Sequence, residues 1–145
     1  ERKVHTEIIR FDIINPDEEV AAKLQMTTDD FVYDIVRARY VDDEPIVIEY
    51  TKMPIQLVPG IKRDILLKSI YAYIEGVLKL KIQSAHRTVR AVMPSDTERE
   101  YLKIDDVLPI LEVEQVAFFD DGRPFEYSVS HHRADKSSFK AVSIR

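Results

Sequence analysis

Alternating hydrophobic and polar positions predict that this chain is built mainly from β-strands. Residues 31–40 and 45–53 form two such runs around an acidic turn at 41–44, which is the pattern of a β-hairpin. A second hairpin is predicted because the sequence Asp120-Asp121-Gly122, which favours a tight turn, separates two further runs. The remaining predicted strands lie at 3–14, 80–93, 108–119 and 123–133, with 139–144 as a candidate for a final short strand.

Short helices are predicted in three of the segments that separate these strands. Each is preceded by a residue type that caps helices, namely Asn15, Ser69 and Ser95, and Glu98 stands at capping-box spacing from the last of these. Pro16 suits the first position of a helix, where its missing N–H costs nothing. The helices are predicted at 17–24, where Val20, Ala21 and Leu24 would face inward, at 70–78, and from the capping box to about Leu102.

Arg37 and Arg39 stand two residues apart in the first hairpin, so their side chains should share one face of the strand. The alternate positions of this strand are also largely apolar, which is typical of a strand covered on both faces. Because a buried arginine needs a partner, one interpretation is that the pair meets internal carboxylates or an anion from outside. The alternative is an exposed end of the strand, where both guanidinium groups lie in water.

The two hairpins share an aromatic residue, an acidic turn and a proline, at 40–45 and at 118–124. Glu49 and Glu126 follow these prolines at even spacing, so each glutamate is expected to lie on the face of its own proline. If the hairpins pack in one sheet, both glutamates would face the same cavity. Whether Glu49 lies on the face of Arg37 depends on the register of the hairpin, because a shift of one residue reverses every side chain.

Composition describes one domain of ordinary core size, with 145 residues and 45% hydrophobic content. A net charge of −5 argues against this segment itself gripping a nucleic-acid backbone. No apolar run reaches the length of a membrane span, no leader precedes the first strand, and cysteine is absent, so a cytoplasmic protein without membrane partners is predicted. The abrupt start in strand-like sequence leads us to expect a further segment upstream.

Metal binding and catalysis are not the favoured chemistry for these residues. The adjacent His131 and His132 would point to opposite faces of a strand, so they are not expected to chelate one ion. The chain has three glycines and no G-x-S-x-G motif, and neither a metal nor a cofactor is predicted. Glu49 and Glu126 stay open to two interpretations, as an acid and base pair or as the polar lining of a pocket.

A binding site for an anion accounts for more of these residues. Arg37 and Arg39 would supply charge-assisted hydrogen bonds, and Ser69 would add a hydroxyl beside free backbone N–H groups at a helix start. Ser69 is also explained by helix capping alone. The glutamates and His132 suit neutral hydroxyl or amide groups, so the ligand would combine an anionic head with a polyhydroxyl body, as a sugar phosphate does.

Five short patterns follow one another along the chain: Pro16-x-x-x-Val20-Ala21-x-x-Leu24, Arg37-x-Arg39, Pro45 with Glu49, Ser69-Ile70-Tyr71 and Gly122-Arg123-Pro124-Phe125-Glu126. In this order they resemble the UTRA domain, the effector-binding domain of GntR-type bacterial transcription regulators of the HutC subfamily. The resemblance covers nearly the whole chain. It implies an α+β, chorismate-lyase-like fold, with a mostly antiparallel six-stranded sheet and flanking short helices, over a single domain of residues 1–145.

The resemblance also implies a function and a set of site residues. By this similarity Arg37, Arg39 and Ser69 match positions that hold a phosphate or carboxylate of the effector, Glu49 and Glu126 match positions that contact the sugar, and Tyr71 and His132 are further matches, although the position of His132 is often aromatic in relatives. The implied protein is a homodimeric repressor, not an enzyme, with an N-terminal winged-helix DNA-binding domain that this chain lacks. A lyase-type enzyme on the same fold is the alternative.

Overall fold

The computed structural model describes residues 2–105 and 108–144, and its centre is one antiparallel sheet. Within this part of the chain six strands pair in the order β1-β2-β3-β6-β5-β4, so β1 and β4 form the two edges. The predicted fold class is confirmed. The strands are β1 (Val4–Ile14), β2 (Val32–Val41), β3 (Glu44–Pro54), β4 (Ile82–Val92), β5 (Ile110–Phe119) and β6 (Pro124–His132).

Four short helices connect the strands, and their capping residues explain where they begin. Ser69 and Ser95 cap two of them as predicted, and Glu98 completes the capping box by accepting from the Ser95 N–H. The cap of the first helix is Asp17, whereas Asn15 donates to the carbonyl groups of a neighbouring loop. The helices are α1 (Glu18–Lys23), α2 (Arg63–Leu66), α3 (Ile70–Gly76) and α4 (Asp96–Leu102), followed by a 3₁₀ turn at Ala134–Lys136.

Hydrophobic side chains cover both faces of the sheet. On one face of the sheet, α2, α3 and the segment 55–62, which follows β3, cover the main core, which includes Ile35, Phe119 and Phe125. On the other face α1 packs over Val32, and α4 packs over Val36 and Ile48. Val20, Ala21 and Leu24 are buried, as the helical pattern predicts. The central strands therefore carry few water-exposed positions, and polar groups there need partners inside the protein.

A shift of one residue in the first hairpin decides which side chains meet across it. Val41 pairs with Glu44 around a two-residue turn, but the pairing shifts between Arg39 and Tyr40. If the pairing continued from the turn without this shift, Arg37 would lie opposite Ile48. With the shift it lies opposite Glu49, which puts the carboxylate on the face of both arginines.

The second hairpin contains a register shift of the same kind. Phe118 pairs with Pro124, the pairing then shifts, and Ala117 pairs with Glu126. In each hairpin the shift falls between the proline and the glutamate, so the prediction that the two share a face was wrong. Because both hairpins shift in the same way, both glutamates still face one cavity. Gly122 supplies the positive φ of 86° that its turn requires.

The tail and two helix boundaries differ from the predictions. Residues 137–144 run without regular structure, so the short strand predicted at 139–144 was wrong. Helix α3 ends at Gly76, two residues before the predicted end, and α2 has no predicted counterpart. None of the helices in the described ranges is long and apolar enough to cross a membrane.

The turn of the first hairpin yields a stability prediction, because Asp42 and Asp43 both adopt positive φ, at 50° and 63°. Replacing Asp43 by glycine removes the steric cost of that conformation, so Asp43→Gly should raise the free energy of unfolding by roughly 0.5 to 1 kcal/mol in urea denaturation. Asp29→Gly is the matched control, since Asp29 is exposed and lacks a positive φ. An equal gain in the control would contradict the explanation.

Candidate functional site

A cavity of about 480 Å³ opens between one face of the sheet and the segment that joins α2 to α3. Its volume lies in the range of sites for small molecules. All seven residues predicted to contact an effector line this cavity, which also reaches the tail at Phe139. The lining residues are Arg37, Arg39, Glu49, Thr51, Lys68, Ser69, Ile70, Tyr71, Arg87, Val113, Gln115, Glu126, Ser128, Ser130, His132 and Phe139.

Arg37 is buried, with 6% of its surface exposed, and its partners are internal. Its Nη2 donates to Glu49 Oε2 at 2.7 Å, and its Nη1 donates to the Leu66 carbonyl at 3.0 Å. The carboxylate that a buried arginine requires is therefore Glu49, which the shifted register places opposite. These two contacts fix the guanidinium and tie the end of α2 to the sheet.

Arg39 lies closer to the mouth of the cavity than its neighbour. About a third of its side chain, 35%, is exposed, and its Nη1 lies 3.5 Å from Glu49 Oε1. Glu49 thus bridges both arginines, one tightly and one loosely. Of the two interpretations drawn from sequence, burial with an internal partner describes Arg37, whereas Arg39 keeps donors available at a partly exposed position.

Glu126 is a buried carboxyl group held by neutral donors. It accepts from the hydroxyl of Tyr71 at 2.7 Å and from the side-chain amide of Gln115 at 2.9 Å. Burial raises the pKa of Glu126, and burial beside this carboxylate also raises the pKa of Tyr71. The group therefore differs from Glu49, which is held by two arginine ion pairs. Two glutamates in one cavity offer two distinct environments to a ligand.

The remaining predicted residues lie at the rim. Ser69 Oγ accepts from the Ala72 N–H at 3.1 Å, so Ser69 caps α3. The hydrogen of its hydroxyl group is still able to donate to a ligand. Since α3 has only seven residues, its dipole adds little. His132 Nε2 lies 2.8 Å from Ser130 Oγ, its ring packs edge-on against Phe139, and burial lowers its pKa. Burial therefore favours the neutral form of His132.

Sequence reasoning missed several polar side chains that line the cavity. Lys68 directly precedes Ser69, and this adjacency was a signal that sequence offered. Arg87 and Gln115 belong to predicted strands, but only the strand order places them beside Glu126. Cross-strand pairing then forms a continuous polar row on the floor of the cavity, running Arg87, Gln115, Ser128 and Thr51 from β4 to β3.

Comparison with known proteins identifies the family. Residues 1–138 match the model of the UTRA domain. The chain belongs to the UTRA domain family. The UTRA domain is 46% identical over its whole length to the HTH-type transcriptional regulator GmuR of Bacillus subtilis and spans 61% of that protein. It is 32% identical over 97% of its length to the mannosyl-D-glycerate transport/metabolism system repressor MngR of Escherichia coli, of which it spans 59%.

Solved structures agree with this assignment. A GntR-family transcriptional regulator from Bacillus cereus superposes with a TM-score of 0.88 at 38% identity, covering 97% of the UTRA domain and 99% of that chain. The effector-binding domain of the Bacillus subtilis trehalose repressor TreR gives a TM-score of 0.86 at 30% identity, covering 97% and 98%. The chain spans about three fifths of the length of the curated regulators it matches.

A second polar cluster lies on the opposite face of the UTRA domain, beneath α4. His131 Nδ1 lies 2.9 Å from Glu98 Oε1, and its Nε2 lies 3.1 Å from Glu112 Oε1. Burial alone would lower the pKa of His131, but the two carboxylates outweigh it and raise the pKa. His131 and His132 point to opposite faces, as predicted. Across the described residues no group of three or more ligands suits a metal ion.

The two adjacent histidines should titrate in opposite directions from the ordinary value of 6.5. Protonated His131 stabilises the folded chain below pH 6.5, and this contribution is lost as pH rises through its raised pKa. The pKa of His132 is lowered in the folded chain, so below pH 6.5 His132 makes the free energy of unfolding rise with pH. NMR titration of the imidazole protons should therefore give a midpoint for His131 well above that of His132.

The free energy of unfolding should fall less steeply above pH 6.5 in His131→Gln than in wild type, because the contribution of protonated His131 is absent. His86→Gln is the control, because His86 is exposed on the edge strand β4 and should leave the slope as it is. Reversed NMR midpoints, or an unchanged slope in His131→Gln, would contradict the assignment of charge to His131.

Proposed function

We propose that this UTRA domain senses a small anionic effector, a phosphorylated sugar, in the cavity described above. Arg37, Arg39 and Ser69 hold the phosphate at one end. The sugar lies toward the glutamates, with Tyr71 and His132 at its sides. The observation that carries this proposal is the arrangement of Arg37 and Arg39 at one end of a cavity whose neighbouring floor, on β3 and β6, carries neutral hydroxyl groups.

Charge supports an anion as the ligand. Four cationic side chains line the cavity, namely Arg37, Arg39, Lys68 and Arg87. The acidic side chains of the lining are Glu49 and Glu126, and burial raises the pKa of Glu126. Arg39 gains more from a phosphate than Arg37 does, since its one ion pair among the described residues is a loose contact of 3.5 Å. Each charge-assisted hydrogen bond to a phosphate contributes roughly 1.5 to 3 kcal/mol when shielded from water.

Hydroxyl-rich chemistry is supported by the floor of the cavity. Glu126, Thr51, Ser128 and Ser130 offer hydroxyl and carboxyl groups in a compact row, and such groups exchange hydrogen bonds with sugar hydroxyls. Two relatives point the same way, since one is a trehalose repressor and the other a mannosyl-D-glycerate transport/metabolism system repressor.

Regulation by linkage is the proposed mechanism. We infer that residues 1–145 form the sensing domain of a longer cytoplasmic repressor, with an N-terminal winged-helix DNA-binding domain outside this chain, in keeping with relatives described as HTH-type regulators. The protein acts as a homodimer, without cofactor or membrane partner. An effector that prefers one conformation of the dimer changes the spacing of the two DNA-binding domains, which relieves repression.

A lyase-type enzyme is the rival function, and one observation counts against it. A general base must be free to accept a proton, but Glu49 is engaged by both Arg37 and Arg39. Relatives named as transcriptional regulators also favour a sensor. Accordingly we expect a bound sugar phosphate to be recovered unchanged.

The test is binding of sugar phosphates to the wild-type domain and to Arg39→Ala, measured by calorimetry and thermal stabilisation. The panel includes glucose 6-phosphate, trehalose 6-phosphate and the unphosphorylated sugars. Wild type should bind a phosphorylated member and ignore its unphosphorylated counterpart, and Arg39→Ala should weaken that binding at least about tenfold. Arg37→Ala is a poorer probe, because it removes the hydrogen-bond donors of Glu49 Oε2 and of the Leu66 carbonyl and so disturbs the fold as well as the site.

Arg123→Ala serves as the control, since Arg123 is exposed in the second hairpin turn and pairs with Asp121 outside the cavity. Its affinity should equal that of wild type. Equal affinity of Arg39→Ala and wild type, or equal binding of sugars with and without phosphate, would contradict the anion site. Formation of a product would favour the enzyme.

A further inference from the structure

The cavity is longer than one sugar ring. Strand order places β2, which carries Arg37 and Arg39, four spacings from β4, which carries Arg87. At roughly 4.8 Å per spacing the floor between them spans about 19 Å. A pyranose ring is about as wide as one strand spacing. A hexose phosphate anchored at β2 therefore ends over β3 and β6, and the floor over β5 and β4 stays without contact.

The uncovered end of the floor carries its own polar groups. Arg87 Nε donates to Gln115 Oε1 at 2.6 Å, and Gln115 Nε2 donates in turn to Glu126 Oε1 at 2.9 Å and to the Tyr71 hydroxyl at 3.1 Å. This chain of hydrogen bonds links the far arginine to the centre of the cavity. It also orients the exposed side chain of Arg87 toward Gln115.

Arg87 differs from the other two arginines of the cavity. Arg37 and Arg39 both face Glu49, whereas no carboxylate of the described ranges lies within ion-pair distance of Arg87. Its Nε is used by Gln115, and the remaining N–H groups of the guanidinium are available to a ligand. Because Arg87 is exposed at the edge strand, a ligand reaches it without moving the core.

We propose that Arg87 and Gln115 form a distal subsite that selects a phosphorylated disaccharide over a phosphorylated monosaccharide. This inference rests on the proposed function, because the phosphate must bind at Arg37 and Arg39 for the second ring to lie over β5 and β4. The first ring lies over Glu49 and Glu126. Hydroxyl groups of the second ring accept from the N–H groups of Arg87 that Gln115 does not use, while Gln115 orients the guanidinium through its Nε.

The experiment compares ligands that share one phosphorylated ring. Glucose 6-phosphate, trehalose 6-phosphate and cellobiose 6′-phosphate are titrated calorimetrically into wild type, Arg87→Ala and Arg90→Ala. At least one disaccharide phosphate should bind wild type about tenfold more tightly than glucose 6-phosphate. Arg87→Ala should remove most of that difference while changing the affinity for glucose 6-phosphate by less than about twofold.

Arg90→Ala is the matched control, since Arg90 lies three residues along the same strand and points to the opposite face, where it pairs with Glu112 and Glu114. It should bind all three ligands as wild type does. The inference is overturned if glucose 6-phosphate binds as tightly as both disaccharide phosphates, or if Arg87→Ala weakens both classes by one factor. If none of the three binds, the proposed function fails with it, and this outcome is distinct from the other two.

Discussion

The one-residue register shift in each hairpin is the constraint on which the site depends. Without the first shift Glu49 would lie on the other face of the sheet, and Arg37 would be buried opposite an isoleucine. Without the second, Glu126 would lie opposite Val116 instead of Ala117, on the face away from the cavity. Two extra residues, one in each hairpin, therefore bring two carboxylates and two arginines into one space.

This arrangement prepares the site before any ligand arrives. A buried arginine without a partner would destabilise the fold, so Glu49 stabilises the protein and positions Arg37 with the same contact. The Leu66 carbonyl holds the other side of the guanidinium, which joins the sheet to the segment that carries Ser69. Binding to such a preorganised site costs little ordering of side chains. It also gives a ligand direct contact with the segment that joins α2 to α3.

Much of this structure follows from local sequence, and the misses have a common cause. Alternation predicts all six strands, and the side chains of Ser69 and Ser95 predict two helix starts, because these signals act within a few residues. Helix α2 is too short to produce a helical pattern. The register shifts come from one extra residue inside each hairpin, which strand alternation does not reveal. The neighbours of Arg87 depend on the order of the strands in the sheet, which no short window of sequence contains. The chemistry of the side chains grouped six of the seven predicted site residues, and the family resemblance added Tyr71, whereas Arg87 and Gln115 required the strand order.

The central claim is that the end of the cavity with Arg37 and Arg39 holds a phosphate. A crystal structure of the domain with trehalose 6-phosphate tests this claim most directly. The phosphate oxygens should lie within hydrogen-bond distance of Arg39 and Ser69, with sugar hydroxyls reaching Glu126 and the Arg37 pair with Glu49 retained. A phosphate bound on the opposite face of the sheet, or bound in the cavity without contact to Arg39, would contradict this account.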